Sequence, residues 1–298
     1  MQAPEHFLDP AILSRISDLP LLARTVVDGF MHGLHKSNKK GLSLDFAEHR
    51  QYQPGDDLRR IDWKAYARTD RFYIKEYEAD TNAGVLFALD VTGSMDYASG
   101  AVNKFTYARI LVACLAWLTQ RQGDRIGLAT FAAELKEMVP PSTRHLNLIL
   151  HALGRATPVG EGKLPLAIDR VADVASRPGI VVVVTDCYDD PTAIGRSIDT
   201  LRARGHDVLV FHLLDRAEDE FPFDAAAVFE DGESGLRLPL RPDEVKERYL
   251  ALWAAHRAAL VQRFAAGGVD YVPLRTDEPL DRALYAFLDY RLARGRVR

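Results

Sequence analysis

The chain has 298 residues, of which 47% are hydrophobic and 27% are charged, and its formal net charge is −4 at pH 7. This length can bury one large core with a smaller attached unit, and the composition excludes wholesale disorder. A slightly negative chain has no general attraction to phosphate backbones or anionic lipid. We therefore expect that nucleic acid is not the partner.

The sequence carries no recognisable membrane or export signal. Its N-terminal residues have neither the basic start nor the apolar run of a signal peptide. The most apolar stretches, Ile110–Leu118 and Ile180–Val184, are much shorter than the roughly 20 residues that cross a bilayer. Cys114 and Cys187 lie in apolar surroundings, which favours buried, reduced thiols. We therefore expect a soluble, cytoplasmic protein without membrane insertion.

Residues 1–82 predict a small N-terminal α+β segment. Mixed apolar and polar residues favour helices at Pro10–Ser17 and Leu21–Leu34. Further along, apolar and polar residues alternate as they do in strands, and a short helical stretch lies between the two alternating runs. The strands are predicted at Leu42–Tyr52 and Arg71–Glu78, and the helix at Asp57–Arg68.

From residue 83 to residue 298, apolar runs of strand length alternate with helical stretches. The predicted strands are Val85–Leu89, Arg125–Phe131, Leu135–Val139, Ile180–Thr185, Asp207–Leu214 and Asp270–Leu274. The predicted helices are Lys104–Gln120, Thr143–Arg155, Leu164–Ser176, Pro191–Arg204, Pro242–Ala266 and Leu280–Ala293. This order predicts an α/β fold, a doubly wound, mostly parallel sheet with helices on both faces. A hairpin insertion is expected near residues 227–238, and Leu135–Val139 is expected to be an antiparallel edge strand that Pro140 ends.

Two of the predicted strands end in side chains that carry oxygen. The first buried strand is followed by Asp90, Thr92 and Ser94, and the valine-rich strand is followed by Asp186. Because ligands of open α/β sheets bind where the strands end, we expect these loops to converge. Carboxylate and hydroxyl oxygens are suitable ligands for Mg²⁺. The pattern therefore indicates a candidate metal site, with Mg²⁺ as its possible cofactor.

The same four residues also suit purely structural roles. Aspartate, threonine and serine side chains bond local backbone N–H groups in strand-to-helix turns, which would account for Asp90, Thr92 and Ser94. Asp186 would then be a turn residue or a helix cap. The residue types alone leave the choice between a turn and a ligand site open.

The spacing Asp90-x-Thr92-x-Ser94 resembles the metal-ion-dependent adhesion site of von Willebrand factor A domains, whose usual form is Asp-x-Ser-x-Ser. Asp186 is similar to that family's second aspartate. Upstream, the motif that runs from Arg50 to Arg68 resembles the signature of the domain-of-unknown-function 58 family. In that family the signature directly precedes such an A-type domain. The resemblance therefore implies a von Willebrand factor A-like fold.

The resemblance also implies a function. Members of the family are associated with MoxR-type AAA+ ATPases, which suggests a non-enzymatic adaptor that binds the ATPase and its client protein through a degenerate adhesion site. The charged residues of the signature are then candidates for partner binding. They also suit a charge-paired scaffold that holds the segment in place, which is the interpretation favoured for Asp57 and Asp62. These residues are Arg50, Asp56, Asp57, Arg59, Asp62 and Arg68.

One loop departs from the resemblance. A-type domains usually supply a threonine ligand at the position that Gly162 occupies here, so the third ligand is missing. The ammonium of the next residue, Lys163, would fit the space between the two aspartates in place of a metal. Thr157 and Glu161 are the possible substitute ligands. We expect weak Mg²⁺ binding that Gly162→Thr or Lys163→Thr would strengthen.

Two other classes of function remain open. Haloacid-dehalogenase-like phosphatases also place an aspartate after the first strand, which makes Asp90 the candidate nucleophile of a metal-assisted phosphohydrolase. They need a second acid two residues later, where this chain has Thr92. RNA binding through Lys36–Lys40 and Arg59–Arg60 would give a salt-dependent gel shift. Because the sequence has no P-loop, dinucleotide-binding or serine-hydrolase motif, we favour binding over catalysis.

Overall fold

The structure is a computed structural model that describes residues 8–36, 48–51, 66, 71–76 and 84–295. The chain divides into two compact units. The first, called the sheet unit below, consists of Met1–Val27 and Ala83–Arg298, and the second consists of Asp28–Asn82. The sheet unit therefore includes residues 1–27, which the sequence pattern assigned to the N-terminal segment of residues 1–82.

Two helices come first in the chain, α1 (Pro10–Leu13) and α2 (Leu19–Lys36). Helix α1 ends earlier than Ser17, the end that the sequence pattern predicted. Just before it, the backbone carbonyl of Leu8 accepts a hydrogen bond of 3.2 Å from the N–H of Leu280. This bond joins the start of the described chain to the C-terminal part of the sheet unit.

Within the second unit, the strands β1 (Glu48–Gln51) and β2 (Tyr73–Glu76) form an antiparallel pair. The rings of Tyr66 and Phe72 stack with their centroids 4.4 Å apart. Both strands fall within the runs that the alternating pattern predicted. The helix predicted at residues 57–68 lies outside the described residues, apart from Tyr66.

The described part of the sheet unit is built on a six-stranded sheet in the order β10-β7-β6-β3-β4-β5. Neighbouring strands are parallel except β4 and β5, which are antiparallel. The chain starts in the middle of the sheet, proceeds to one edge and then returns to build the other half. This topology confirms the predicted doubly wound, mostly parallel α/β fold. The strands are β3 (Gly84–Asp90), β4 (Arg125–Phe131), β5 (Leu135–Ser142), β6 (Ile180–Thr185), β7 (Asp207–Leu214) and β10 (Asp270–Arg275).

Helices cover both faces of this sheet, as predicted. On one face, Leu86 and Ala88 of β3 belong to a buried cluster that includes Ile168 and Phe264. On the opposite face, the Phe87 ring lies 6.3 Å from a phenylalanine ring of the C-terminal helix. Among the described helices, none is both long enough and apolar enough to cross a membrane. The helices are α3 (Lys104–Arg121), α4 (Leu146–Arg155), α5 (Leu164–Val174), α6 (Pro191–Ala203), α7 (Arg216–Glu220), α8 (Pro242–Ala266) and α9 (Asp281–Gly295).

Prolines occur in both outer strands of the described sheet. Strand β5 was expected to stop at Val139, but it continues through Pro140 and Pro141 to Ser142. At the other edge, β10 contains Pro273. An edge strand tolerates proline because the missing N–H does not belong to the interior hydrogen-bond ladder. The prediction of an antiparallel edge strand was therefore right, but its end was placed too early.

A hairpin lies outside the main sheet. Its strands, β8 (Ala227–Glu230) and β9 (Arg237–Leu240), pair antiparallel with each other. The backbone N–H of Gly235 donates to the carbonyl of Asp231 at 2.8 Å and closes the turn. Phe229 stacks on Phe221, with ring centroids 5.7 Å apart, and this contact attaches the hairpin to the segment after α7. The predicted insertion near residues 227–238 corresponds to this hairpin.

Candidate functional site

Asp90 stands at the end of β3 and is almost completely buried. Its Oδ1 accepts hydrogen bonds from the N–H (2.9 Å) and the hydroxyl (2.7 Å) of Thr92. Its Oδ2 accepts a hydrogen bond from the Thr185 hydroxyl at 2.7 Å. The hydroxyls of Thr92 and Ser94 are 3.0 Å apart, so the row of oxygens extends outward from the core. The structure thus brings Asp90, Thr92 and Ser94 together and adds Thr185, which the sequence pattern did not single out.

The hydrogen bond from the Thr92 N–H to Asp90 forms the strand-to-helix turn that the sequence offered as a purely structural role for these residues. A turn of this kind does not exclude a ligand site, because the hydroxyls of Thr92 and Ser94 lie within 3.0 Å of each other. Burial, first, and the negative charge of Asp186, second, raise the pKa of Asp90 to about 7. The hydrogen bonds from Thr185 and Thr92 lower it by less. The Asp90 carboxylate therefore lies where positive charge would stabilise it.

Asp186 follows β6 and forms a buried ion pair that the sequence pattern did not indicate. The Lys104 ammonium lies 2.8 Å from Asp186 Oδ2 and 2.7 Å from Glu218 Oε1. It also lies 4.6 Å from the centroid of the Tyr188 ring. Burial acts to lower the pKa of Lys104, but the charges and hydrogen bonds of the two carboxylates outweigh it and raise the pKa. Lys104 is therefore a fixed cation beneath the site.

The sequence suggested Lys163, and not Lys104, as the residue whose ammonium lies near Asp186. Lys163 is exposed, so the expectation that its side chain lies between the two aspartates is wrong. Lys104 is the first residue of α3, where the helix dipole disfavours a cation, and an otherwise apolar helix follows it. Asp190, and not Asp186, caps the following helix, because its side chain accepts a hydrogen bond from the Ala193 N–H.

Gly162 occupies the position at which A-type domains usually have threonine. A Cβ atom added there would overlap with the Thr92 methyl group and press on the backbone of Ala132. The Gly162 N–H donates to Glu233 Oε2 at 3.2 Å. The Thr92 methyl group therefore takes up the space where A-type domains have their third ligand, and the Gly162 N–H presents a hydrogen-bond donor there. The substitute ligands, Thr157 and Glu161, are both exposed.

Glu233 comes from the turn between β8 and β9. Glu233 and Ser94 line the same cavity. Burial, above all, raises the pKa of Glu233, and the charges of Asp186 and Asp231 add to this, while the hydrogen bond from Gly162 opposes it. The hairpin thus brings a carboxylate to the site from a segment that no local pattern connected with it.

A cavity of about 690 Å³ lies between the hairpin turn and the strand ends. Ser94 and Gly162 line its floor, and Tyr97 and Tyr188 contribute aromatic rings. Among the described residues that line it, none is a lysine or an arginine. Lys104 compensates the charge of Glu218 and Arg237 that of Glu230, and the other acidic side chains leave an excess of negative charge. Six lining residues carry carboxylates, namely Asp96, Asp189, Glu218, Glu230, Asp231 and Glu233.

The oxygen atoms at the site meet part of what Mg²⁺ requires of its ligands. A hard cation needs oxygen ligands, and Asp90, Thr92 and Ser94 present a carboxylate and two hydroxyls in one row. The raised pKa of Asp90 indicates a carboxylate without a compensating charge. Within the described residues, no group of three or more histidine, cysteine, aspartate or glutamate side chains could hold a metal. The residues fit a site that depends on hydroxyls and on Asp90, with one oxygen of Asp186 already engaged by Lys104.

The predicted partner-binding residues belong to the second unit. Arg50 lies on β1, where its backbone is opposite Ile74 of β2. The other members of the set fall outside the described residues, and their role stays a prediction. They are Asp56, Asp57, Arg59, Asp62 and Arg68.

Residues 48–259 match the family model described as Protein of unknown function DUF58. Because this match spans more than half of the chain, the protein belongs to that family. Uncharacterized proteins of Mycobacterium bovis and Mycobacterium tuberculosis are each 29% identical to it over 275 residues. Each alignment covers 90% of this chain and 86% of the relative.

Solved structures with a similar fold were also found. The conserved hypothetical protein BatB from Bacteroides thetaiotaomicron gives a TM-score of 0.47 at 17% identity, over 70% of this chain and 98% of its own. The von Willebrand factor A domain of SpRpn10 gives a TM-score of 0.42 at 11% identity, over 70% of this chain and 93% of its own. The fold class itself rests on the strand order and directions described above.

Proposed function

We propose that this protein is a non-enzymatic protein-binding module, an adaptor that binds a MoxR-type AAA+ ATPase and its client protein through the strand-end face of the sheet unit. The observation that carries the proposal is the cavity of about 690 Å³ at the strand ends. Its volume falls within the roughly 300–1,000 Å³ of typical ligand pockets. The oxygens of Asp90, Thr92 and Ser94 are fixed by their mutual hydrogen bonds, as in a preorganised recognition site.

A divalent cation of the Mg²⁺ type would be held by Asp90, Thr92 and Ser94, with Asp186 as the fourth donor. When bound, the ion would supply an electron-poor centre that accepts a carboxylate. Without a cation, the carboxylates that line the cavity repel an acidic partner. An acidic side chain of the ATPase therefore binds this face more tightly together with the cation.

The alternative, a metal-assisted phosphohydrolase, has less support. Both oxygens of Asp90 accept hydrogen bonds from Thr92 or Thr185, so this carboxylate is engaged rather than poised to attack. Thr92 occupies the place of the second acid that such enzymes need. The two thiols are equally poor nucleophiles, because burial raises the pKa of Cys114 and of Cys187 and keeps both protonated.

We expect no turnover of phosphoesters, peptides or nucleotides by the purified chain with Mg²⁺. A colorimetric phosphatase assay and a peptidase assay measure this directly, with Asp90→Asn as the matched variant. Phosphatase activity that is robust in the wild type and absent in Asp90→Asn would overturn the non-enzymatic assignment.

The adaptor role is tested by a pull-down with the purified ATPase in Mg²⁺. We expect Asp90→Ala to reduce recovery by more than about tenfold, because truncating one member of a buried charge contact costs roughly 2–5 kcal/mol. EDTA should reduce recovery similarly, and added salt should weaken binding, since exposed charges are screened within ~10 Å at about 0.1 M ionic strength. Arg59→Glu tests the sequence-based role of the second unit.

The matched control is Glu247→Ala, which removes an exposed acid on α8. Its recovery should equal that of the wild type. Equal recovery of wild type and Asp90→Ala would show that the strand-end face is not the interface. Absence of wild-type binding would refute the choice of a MoxR-type ATPase as partner.

A further inference from the structure

The turn of the β8–β9 hairpin carries one residue that differs from its neighbours. Asp231, Gly232, Ser234 and Gly235 are exposed, whereas Glu233 is half-buried. Its carboxylate accepts the Gly162 N–H at 3.2 Å, and Ser94 lines the same cavity beside it. A surface turn normally leaves a glutamate in water, so a carboxylate turned inward onto a backbone N–H indicates a specific contact.

The hairpin backbone lies directly on the site loop. A Cβ atom added to Gly93 would overlap with the carbonyl oxygen of Gly232. A Cβ atom added to Gly232 would lie 3.2 Å from the carbonyl oxygen of Gly93. Because Gly93 and Gly232 have no side chains, the turn lies close to the loop that carries Ser94, and Glu233 reaches the site. The hairpin covers the outermost hydroxyl of the row that begins at Asp90.

Three features make the contact between the hairpin turn and the site easy to break. The hairpin strands pair with each other and not with the main sheet, so the hairpin can move without breaking that sheet. The side chains of Val228 and Leu238 on its strands are largely exposed. In addition, the neighbouring carboxylates Asp186 and Asp231 repel Glu233. One hydrogen bond opposed by like charges holds the turn only weakly, while the stacking of Phe229 on Phe221 keeps the base of the hairpin attached.

We propose that the Gly162 N–H forms a carboxylate-binding subsite beside Ser94, which Glu233 occupies in the free protein and which an acidic side chain of the partner takes over when the hairpin turn moves away. The proposal deepens the proposed function, since the partner is a protein that binds this face. The occupied subsite itself does not depend on which protein that partner is.

The first test measures the hydrogen exchange of the Gly162 amide by NMR on the full chain. Glu233→Ala removes the acceptor and should speed exchange about two- to tenfold, the range that one protein hydrogen bond supports. Glu233→Gln keeps the side-chain length and one acceptor oxygen, so its exchange should fall in between. Glu247→Ala, an exposed glutamate on α8 that does not line the cavity, is the matched control and should leave the Gly162 amide unchanged.

The second test uses acetate as a free carboxylate. In Glu233→Ala, acetate should restore slow exchange of the Gly162 amide, whereas neutral acetamide should not. The wild type should not respond, because Glu233 already fills the subsite. The proposal is overturned if Glu233→Ala leaves the exchange unchanged, or if acetate acts equally on wild type and variant.

The outcome is separable from that of the pull-down. Restoration by acetate together with failed capture of the ATPase would leave the subsite intact and refute only the choice of partner. Capture of the ATPase together with an unresponsive Gly162 amide would leave the adaptor role intact and refute the subsite. If both hold, Glu233→Ala should also recover more ATPase than the wild type, because the internal competitor is gone.

Discussion

Lys104→Met is expected to lower the free energy of unfolding by about 3–5 kcal/mol, the usual cost of removing one member of a buried ion pair. The side chains of Asp186 and Glu218 are only 4% and 10% exposed, so neither can recover its hydration when the ammonium is lost. Methionine preserves most of the volume, and the effect is therefore electrostatic rather than a packing defect. Urea denaturation at neutral pH measures the change.

The control for this substitution is Lys136→Met, because Lys136 is exposed on β5 and should change stability by less than about 0.5 kcal/mol. The triple variant Lys104→Met, Asp186→Asn, Glu218→Gln removes the stranded charges and should recover part of the loss. A Lys104→Met protein as stable as the wild type would mean that the ion pair contributes nothing to the fold.

Gly162→Thr is expected to destabilise the protein by about 1–3 kcal/mol and to leave Mg²⁺ binding no stronger. This is contrary to the expectation from the sequence, which was that restoring the usual threonine would strengthen weak Mg²⁺ binding. In the structure the new Cβ would overlap with the Thr92 methyl group, so the substitution would displace a proposed ligand. Thermal denaturation and calorimetric Mg²⁺ titration measure the two effects.

Gly154→Ala is the matched glycine control. It lies within α4 and has no atom within 4 Å of the added Cβ, so it should stabilise the helix by about 0.5–1 kcal/mol. The expectation for Gly162→Thr fails if that variant is as stable as the wild type and binds Mg²⁺ more tightly.

The architecture was predictable because its signals are local and repeated. The valine run gave the bounds Ile180–Thr185 that the structure shows for β6. The alternation of strands and helices predicts that the strands are parallel. In the structure β3 pairs with β6, which brings Asp90 close to Thr185. The row from Asp90 to Ser94 could be predicted for the same reason, since its members are neighbours in the sequence.

The remaining contacts join distant parts of the chain and leave no local pattern. Lys104 is 82 residues from Asp186 and 114 residues from Glu218. Glu233 is 71 residues from Gly162. A lysine at the start of a helix and a glutamate in a hairpin turn are both common surface residues. Only the packing of α3, α7 and the hairpin around the strand ends gives them a role.

The prolines of the outer strands restrict how another protein can associate with this one. A partner that adds its own strand to a sheet needs an uninterrupted row of free N–H and C=O groups along the edge. Pro140 and Pro141 on β5 and Pro273 on β10 offer no N–H, so neither described edge provides that row. The same residues protect the sheet against edge-to-edge aggregation. Strand addition is therefore disfavoured at both described edges, and a partner is directed to the loops and helices instead.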